Sequence, residues 1–156
     1  MRTSFLILGL LFAGIASAAN EPSTAVDELK KFMSAESPKL YQGSDDLGNC
    51  RLLVYSQTDE RNSKVWLEGA FQAKDGAATG FPIVFMLSSD VSLSRVEEFN
   101  TDENSFWARV SYPSENGQEV DESMSVYVVK EAGIITTIFY ETRGIKRACQ
   151  QLARIL

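Results

Sequence analysis

The run SMSVYVVKEAGIITTIFYET, from Ser123 to Thr142, decides how the chain is read. On either side of Glu131-Ala132-Gly133, apolar residues fall on one parity: Met124, Val126 and Val128 before the break, Ile134, Ile138 and Tyr140 after it, with Thr136 between. Alternation with a period of two is the mark of a strand with one buried face. A break this short joins antiparallel neighbours, because a parallel crossover needs a dozen residues or more. The run predicts a hairpin.

Working outward towards the N-terminus, the same period recurs over residues 50–57, 63–73, 80–88 and 104–113, and the hairpin itself extends over 119–130 and 133–142. The intervening segments carry turn chemistry: Thr58 to Asn62, Asp75-Gly76 and Glu115-Asn116-Gly117. Phe81 to Leu87 is apolar on both parities, which predicts a strand covered on each side. Residues 91–100 alternate only weakly, and Ser94-Arg95-Val96-Glu97 forms a capping box. A short helix or irregular crossing is expected there.

Both ends carry helical spacing. Thr24 and Asp27 form a capping-box pattern, Val26, Leu29, Phe32 and Met33 share one face, and Ser37-Pro38 ends the segment. Residues 43–49 then form a turn-rich connection. In the last segment, Ile145, Ala148, Cys149, Leu152, Ile155 and Leu156 fall on one helical stripe from Gly144 onwards. The expected fold is therefore α+β: an antiparallel meander sheet of about six strands flanked by an N-terminal and a C-terminal helix.

Residues 1–18 read as a secretory signal peptide. Arg2 precedes an apolar run from Phe5 to Ile15, and Ala16-Ser17-Ala18 supplies the small-x-small cleavage pattern. The run is shorter than a bilayer span and no basic stop-transfer cluster follows it. Residues 19–23 form a flexible leader and 24–156 a single domain. The expected location is secreted or periplasmic, without membrane insertion after signal cleavage. Cys50 and Cys149 are the two cysteines of the chain. In an oxidising compartment such a pair predicts a disulfide.

With 156 residues, no histidine and a net charge of -6, the composition narrows the chemistry. Histidine bases, catalytic triads and histidine-containing zinc sites are excluded within this chain. The acidic balance opposes a nucleic-acid surface, which needs basic residues over phosphates. No cofactor or metal site is expected. The strand parity opposite the core mixes aromatics with charge: Tyr55, Trp66 and Glu68, then Trp107, Arg109, Tyr127, Phe139, Glu141 and Arg143. Such a face is either covered by helices or binds something. From it Trp66, Trp107, Arg109, Tyr127 and Glu141 are the candidate ligand-binding residues, with a protein, glycan or small ligand as partner. The expected function is a non-catalytic binding module. The alternatives are a carrier with a barrel-like cavity for an apolar ligand, and a hydrolase using Glu68 and Glu141 as its carboxylate pair.

Overall fold

A computed structural model describes residues 21–45, 48–73, 83–113 and 123–156. These form one helix, α1 (Pro22–Met33), and nine strands: β1 (Lys39–Ser44), β2 (Gly48–Thr58), β3 (Ser63–Ala73), β4 (Ile83–Ser88), β5 (Arg95–Thr101), β6 (Ser105–Ser111), β7 (Ser123–Glu131), β8 (Ile134–Thr142) and β9 (Ile145–Arg154). All pairings are antiparallel, and the order across the sheet is β4-β3-β2-β1-β9-β8-β7-β6-β5. The α+β expectation of about six strands between two helices is corrected to a nearly closed, barrel-like sheet with one short helix. The signal-peptide reading and the turns at 75–76 and 115–117 lie outside the described residues, as do Phe81 and Pro82.

The largest correction is the C-terminal segment, which is a strand and not a helix. Arg143 and Gly144 have φ of 47° and 76°, matching Ala132 and Gly133 at 50° and 77°. Positive φ at both central residues is the two-residue hairpin turn whose twist suits antiparallel strands. So β8 turns directly into β9, as β7 turns into β8. The helical stripe has a local cause. Gln151 has φ of 53°, and the pairing of β9 with β1 slips between Gln42 and Ser44. This bulge resets the parity, so Cys149 and Leu152, three apart, both face inward. A bulge imitates the spacing of a helix.

Residues 95–101 form a strand, with a register shift between Val96 and Glu98. Ser94 instead lies fully buried, where its Oγ accepts the Ser88 N–H at 2.8 Å. Helix α1 begins at Pro22, whose missing N–H costs nothing in a first turn. It has no side-chain N-cap, so the Thr24–Asp27 box is not used. It ends at Ser34 in the left-handed region, and the buried Lys39 donates from Nζ to the Met33 and Ser34 carbonyls. A cation at these carbonyls satisfies the negative end of the helix. The apolar run at β4 is covered on one side only: Phe85 and Leu87 are buried while Val84 is 40% exposed.

The interior is built by alternate residues of each strand, with the parity shifted in β9 and at the start of β8, where Ile135 is buried and Ile134, expected in the core, is exposed. Helix α1 lies against β3, β4, β5 and β6. Val26, Leu29, Phe32 and Met33 meet Leu52, Val54, Val65, Leu67, Phe106 and Val126 in one buried cluster. Tyr140 spans the core from β8, and its hydroxyl donates to the Leu67 carbonyl of β3 at 3.3 Å. Its ring rests on Gly69, where an added Cβ would come within 2.9 Å of Tyr140 Cε2.

The disulfide Cys50–Cys149 forms as expected from the sequence. Strand β1 lies between its two strands, and the Cα atoms are 5.8 Å apart. In a flat sheet, strands two apart would be separated by about 9.5 Å. The sheet is therefore pinched around β1 at this point. Gly43 pairs with Cys50, and a Cβ there would stand 2.4 Å from the Gln150 carbonyl oxygen. Only a residue without a side chain lets the three strands approach so closely.

The two outermost strands, β4 and β5, do not pair with each other. Side chains just before β5 and just after β6 reach across to β4. Besides Ser94, the Tyr112 hydroxyl accepts the Met86 N–H at 2.9 Å and donates to the Met86 carbonyl at 3.0 Å. These bonds occupy backbone groups that an unpaired edge would leave open. Burial pushes the Tyr112 hydroxyl well above the ordinary tyrosine pKa, so it stays a donor.

Candidate binding face

The parity opposite the core faces outward, and no described element covers it. Register places its residues in rows running across the strands. On β6 to β9, Trp107 faces Tyr127, Tyr127 faces Phe139, and Phe139 faces Ala148. Two residues along each strand, Arg109 faces Ser125, Ser125 faces Glu141, and Glu141 faces Lys146. An aromatic row thus lies beside a charged one.

Strand sterics explain the arrangement. Alternate side chains leave the same face, and cross-strand neighbours sit about 5 Å apart, so large residues in register must touch. Tyr127 and Phe139 stack with centroids 6.1 Å apart, and each remains 39% exposed. The Arg109 guanidinium lies over the Trp107 ring at 5.7 Å, within cation–π range. Lys146 Nζ stands 3.3 Å from Glu141 Oε1, in a pair whose members are both mostly exposed. Ser125 and Ala148 are small between large neighbours, and the surface dips there. The result is a depression of about 450 Å³ lined by Trp107, Ser125, Tyr127, Phe139, Glu141 and Lys146.

Of the five residues expected from the sequence, four gather here: Trp107, Tyr127 and Glu141 line the depression and Arg109 borders it. Trp66 does not join them. It lies on β3, six strands away from β6 across the sheet. There it stacks on Tyr55 at 4.8 Å, and Tyr55 donates its hydroxyl to Glu68 Oε1 at 2.5 Å. Burial first, and then the bond to Glu68, push the Tyr55 hydroxyl up to about 12. Glu68 and Glu141 are separated by four strand steps, about 19 Å along the sheet. A glycosidase pair sits at roughly 5 to 9.5 Å, so this fold does not bring the two carboxylates together.

Sequence reasoning missed Ser125, Lys146 and Ala148. Reading 144–156 as a helix hid the last two, although Arg143-Gly144 repeats the turn signal of Ala132-Gly133. Among the described residues there is no cluster of three or more metal-ligating side chains. The Asp102 carboxylate accepts from the backbone of Asn104 and Ser105 and from the Ser105 hydroxyl. No described helix is long and apolar enough to cross a membrane. No protein family, curated protein or solved structure matches the chain.

Proposed function

We propose that the protein is a non-catalytic binding module of an oxidising, exported compartment, and that the outer face of β6 to β9 is its recognition surface. The observation that carries this reading is the aromatic row. Trp107, Tyr127 and Phe139 stand in register on the solvent side, next to charges of both signs and over two small residues. A stacked cross-strand pair contributes a modest stabilisation, but three large aromatics in one row beside a depression expose a contiguous apolar surface that folding does not require. Aromatic anchors with arginine nearby are the composition of protein-recognition surfaces. The buried disulfide fits the compartment. A barrel-like sheet suits an apolar carrier in outline, but α1 and Tyr140 occupy its interior and weaken that alternative.

The test is a photo-reactive benzophenone side chain introduced at Ser125, with the same group at Gln57 on the outer face of β2 as the control. Cells producing the full chain are irradiated and the adducts weighed. Adducts at Ser125 in the absence of adducts at Gln57 are expected. Adducts from Gln57 alone, or from neither position, overturn the reading.

A further inference from the structure

We infer that the partner of this face is a second copy of the same chain, an inference that rests on the binding-face reading above and specifies it. The charged row extends onto β5, because Glu98 faces Arg109. From β5 to β9 it reads Glu98, Arg109, Ser125, Glu141, Lys146, with signs minus, plus, neutral, minus, plus. From β9 to β5 the signs run plus, minus, neutral, plus, minus. Each position meets its opposite when the row is laid against its own reverse.

A two-fold axis makes that superposition. Set in the interface plane and parallel to β7, it reverses the order of the strands and keeps each row opposite itself. Arg109 then faces the partner's Glu141 and the two Ser125 residues meet at the axis, while Glu98 and Lys146 lie at the rim, where the sheet curves away. The aromatic row obeys the same operation. Trp107 comes opposite the partner's Phe139, and Tyr127 packs on the partner's Tyr127. A closed pair of this kind is isologous, the commonest symmetry among soluble oligomers. At the central strands its geometry is that of two sheets packed face to face about 10 Å apart, with strands nearly aligned.

The energetic cost of pairing is small. The sheet curls round α1, so contact between two outer faces centres on β6, β7 and β8 and falls away towards β5 and β9. The row carries no net charge, so a partner of one sign has little to select, whereas a second copy is matched at Arg109 and Glu141. The internal Glu141–Lys146 pair is exposed, and exposed pairs give up little when they exchange partners.

Sedimentation velocity on the purified protein, from about 1 to about 100 µM, decides the matter. The wild type is expected to dimerise. Arg109→Glu places like charges together twice per dimer, and so does Glu141→Arg; each is expected to weaken association by about a hundredfold. Mixing these two variants restores opposite charges at both contacts, so a heterodimer is expected to re-form. Both positions are exposed, and circular dichroism verifies that each variant is folded. A monomeric wild type overturns the inference, as does a dimer indifferent to both reversals or a mixture that stays monomeric. The Ser125 adducts separate the two readings. An adduct to a different macromolecule retains the binding face and removes the second copy, whereas no adduct removes both.

Discussion

On β2 and β3, Tyr55 stacks on Trp66 at 4.8 Å and commits its hydroxyl to Glu68. On β7 and β8, Tyr127 stacks more loosely on Phe139 at 6.1 Å, with both rings 39% exposed. Both pairs stand on the outer face of one sheet, in the same cross-strand relationship. The N-terminal pair satisfies itself within the chain. Its C-terminal counterpart leaves apolar ring surface, a depression and a charged row facing water. Similar residues thus serve cohesion in one half of the sheet and, in the function proposed for the protein, recognition in the other. Neighbours make the difference: Glu68 stands within reach of Tyr55, while small Ser125 and Ala148 open space beside Tyr127 and Phe139.

The comparison can be broken most severely at the clasp between the halves. Cys50→Ser or Cys149→Ser frees a loop with a sequence separation of 99, which costs about 4 to 5 kcal/mol in the chain-entropy description. Urea midpoints with and without reductant measure it, and the reduced wild type is expected to match the variants. Next comes Gly69→Ala. The added methyl meets the Tyr140 ring at 2.9 Å, and overpacking of this kind costs about 1 to 3 kcal/mol. If Gly69→Ala proves neutral by thermal denaturation, the close approach of β3 and β8 is wrong.

Tyr112→Phe tests the seam. It removes both bonds to the Met86 backbone and leaves those groups without their partner, at about 1 to 3 kcal/mol. Faster amide exchange at Met86 is the local readout. The outer faces themselves should separate stability from association. Trp66→Ala is expected to cost about 1 kcal/mol or more through the lost stack, with dimerisation unchanged. Phe139→Ser should alter stability by less than that and abolish the sedimenting dimer.

The smallest expected effect is acid sensitivity. Asp59, Asp90 and Asp102 each accept hydrogen bonds within their own turns, which lowers their pKa. A depressed folded pKa stabilises above the unfolded value, near 4, and the gain is lost as pH falls through the folded value. Stability should therefore decline below about pH 4, and Asp→Asn at any of the three should flatten that decline in urea titrations at pH 6 and pH 3.

Much of the interior was legible in the sequence, because strand parity is a local property. Val65, Leu67, Phe106, Ala108, Val110, Val126, Val128, Ile138 and Tyr140 all lie in the core on the parity that alternation indicates. Residues 63–73 form a strand over that same span. Failures fell where a bulge or a glycine breaks the period. Gln151 shifts the parity of β9 and counterfeits a helix. Gly43 made β1 look like a connection, although its lack of a side chain is what admits the strand beneath the disulfide. At β5 the register shift masked the alternation.

By itself, the sequence determined the hairpins of β2 with β3 and of β7 with β8, the buried parity along most of those strands and β6, the pairing of its two cysteines and the exclusion of histidine chemistry. These follow from residue types and short spacings. Only the tertiary structure decided that the two halves curl round α1, that β1 and β9 join them, and that Trp66 stands apart from Trp107. Strand order depends on which distant edges meet, and that is settled by packing around the helix and by the pinch at Cys50 and Cys149. No local period records it.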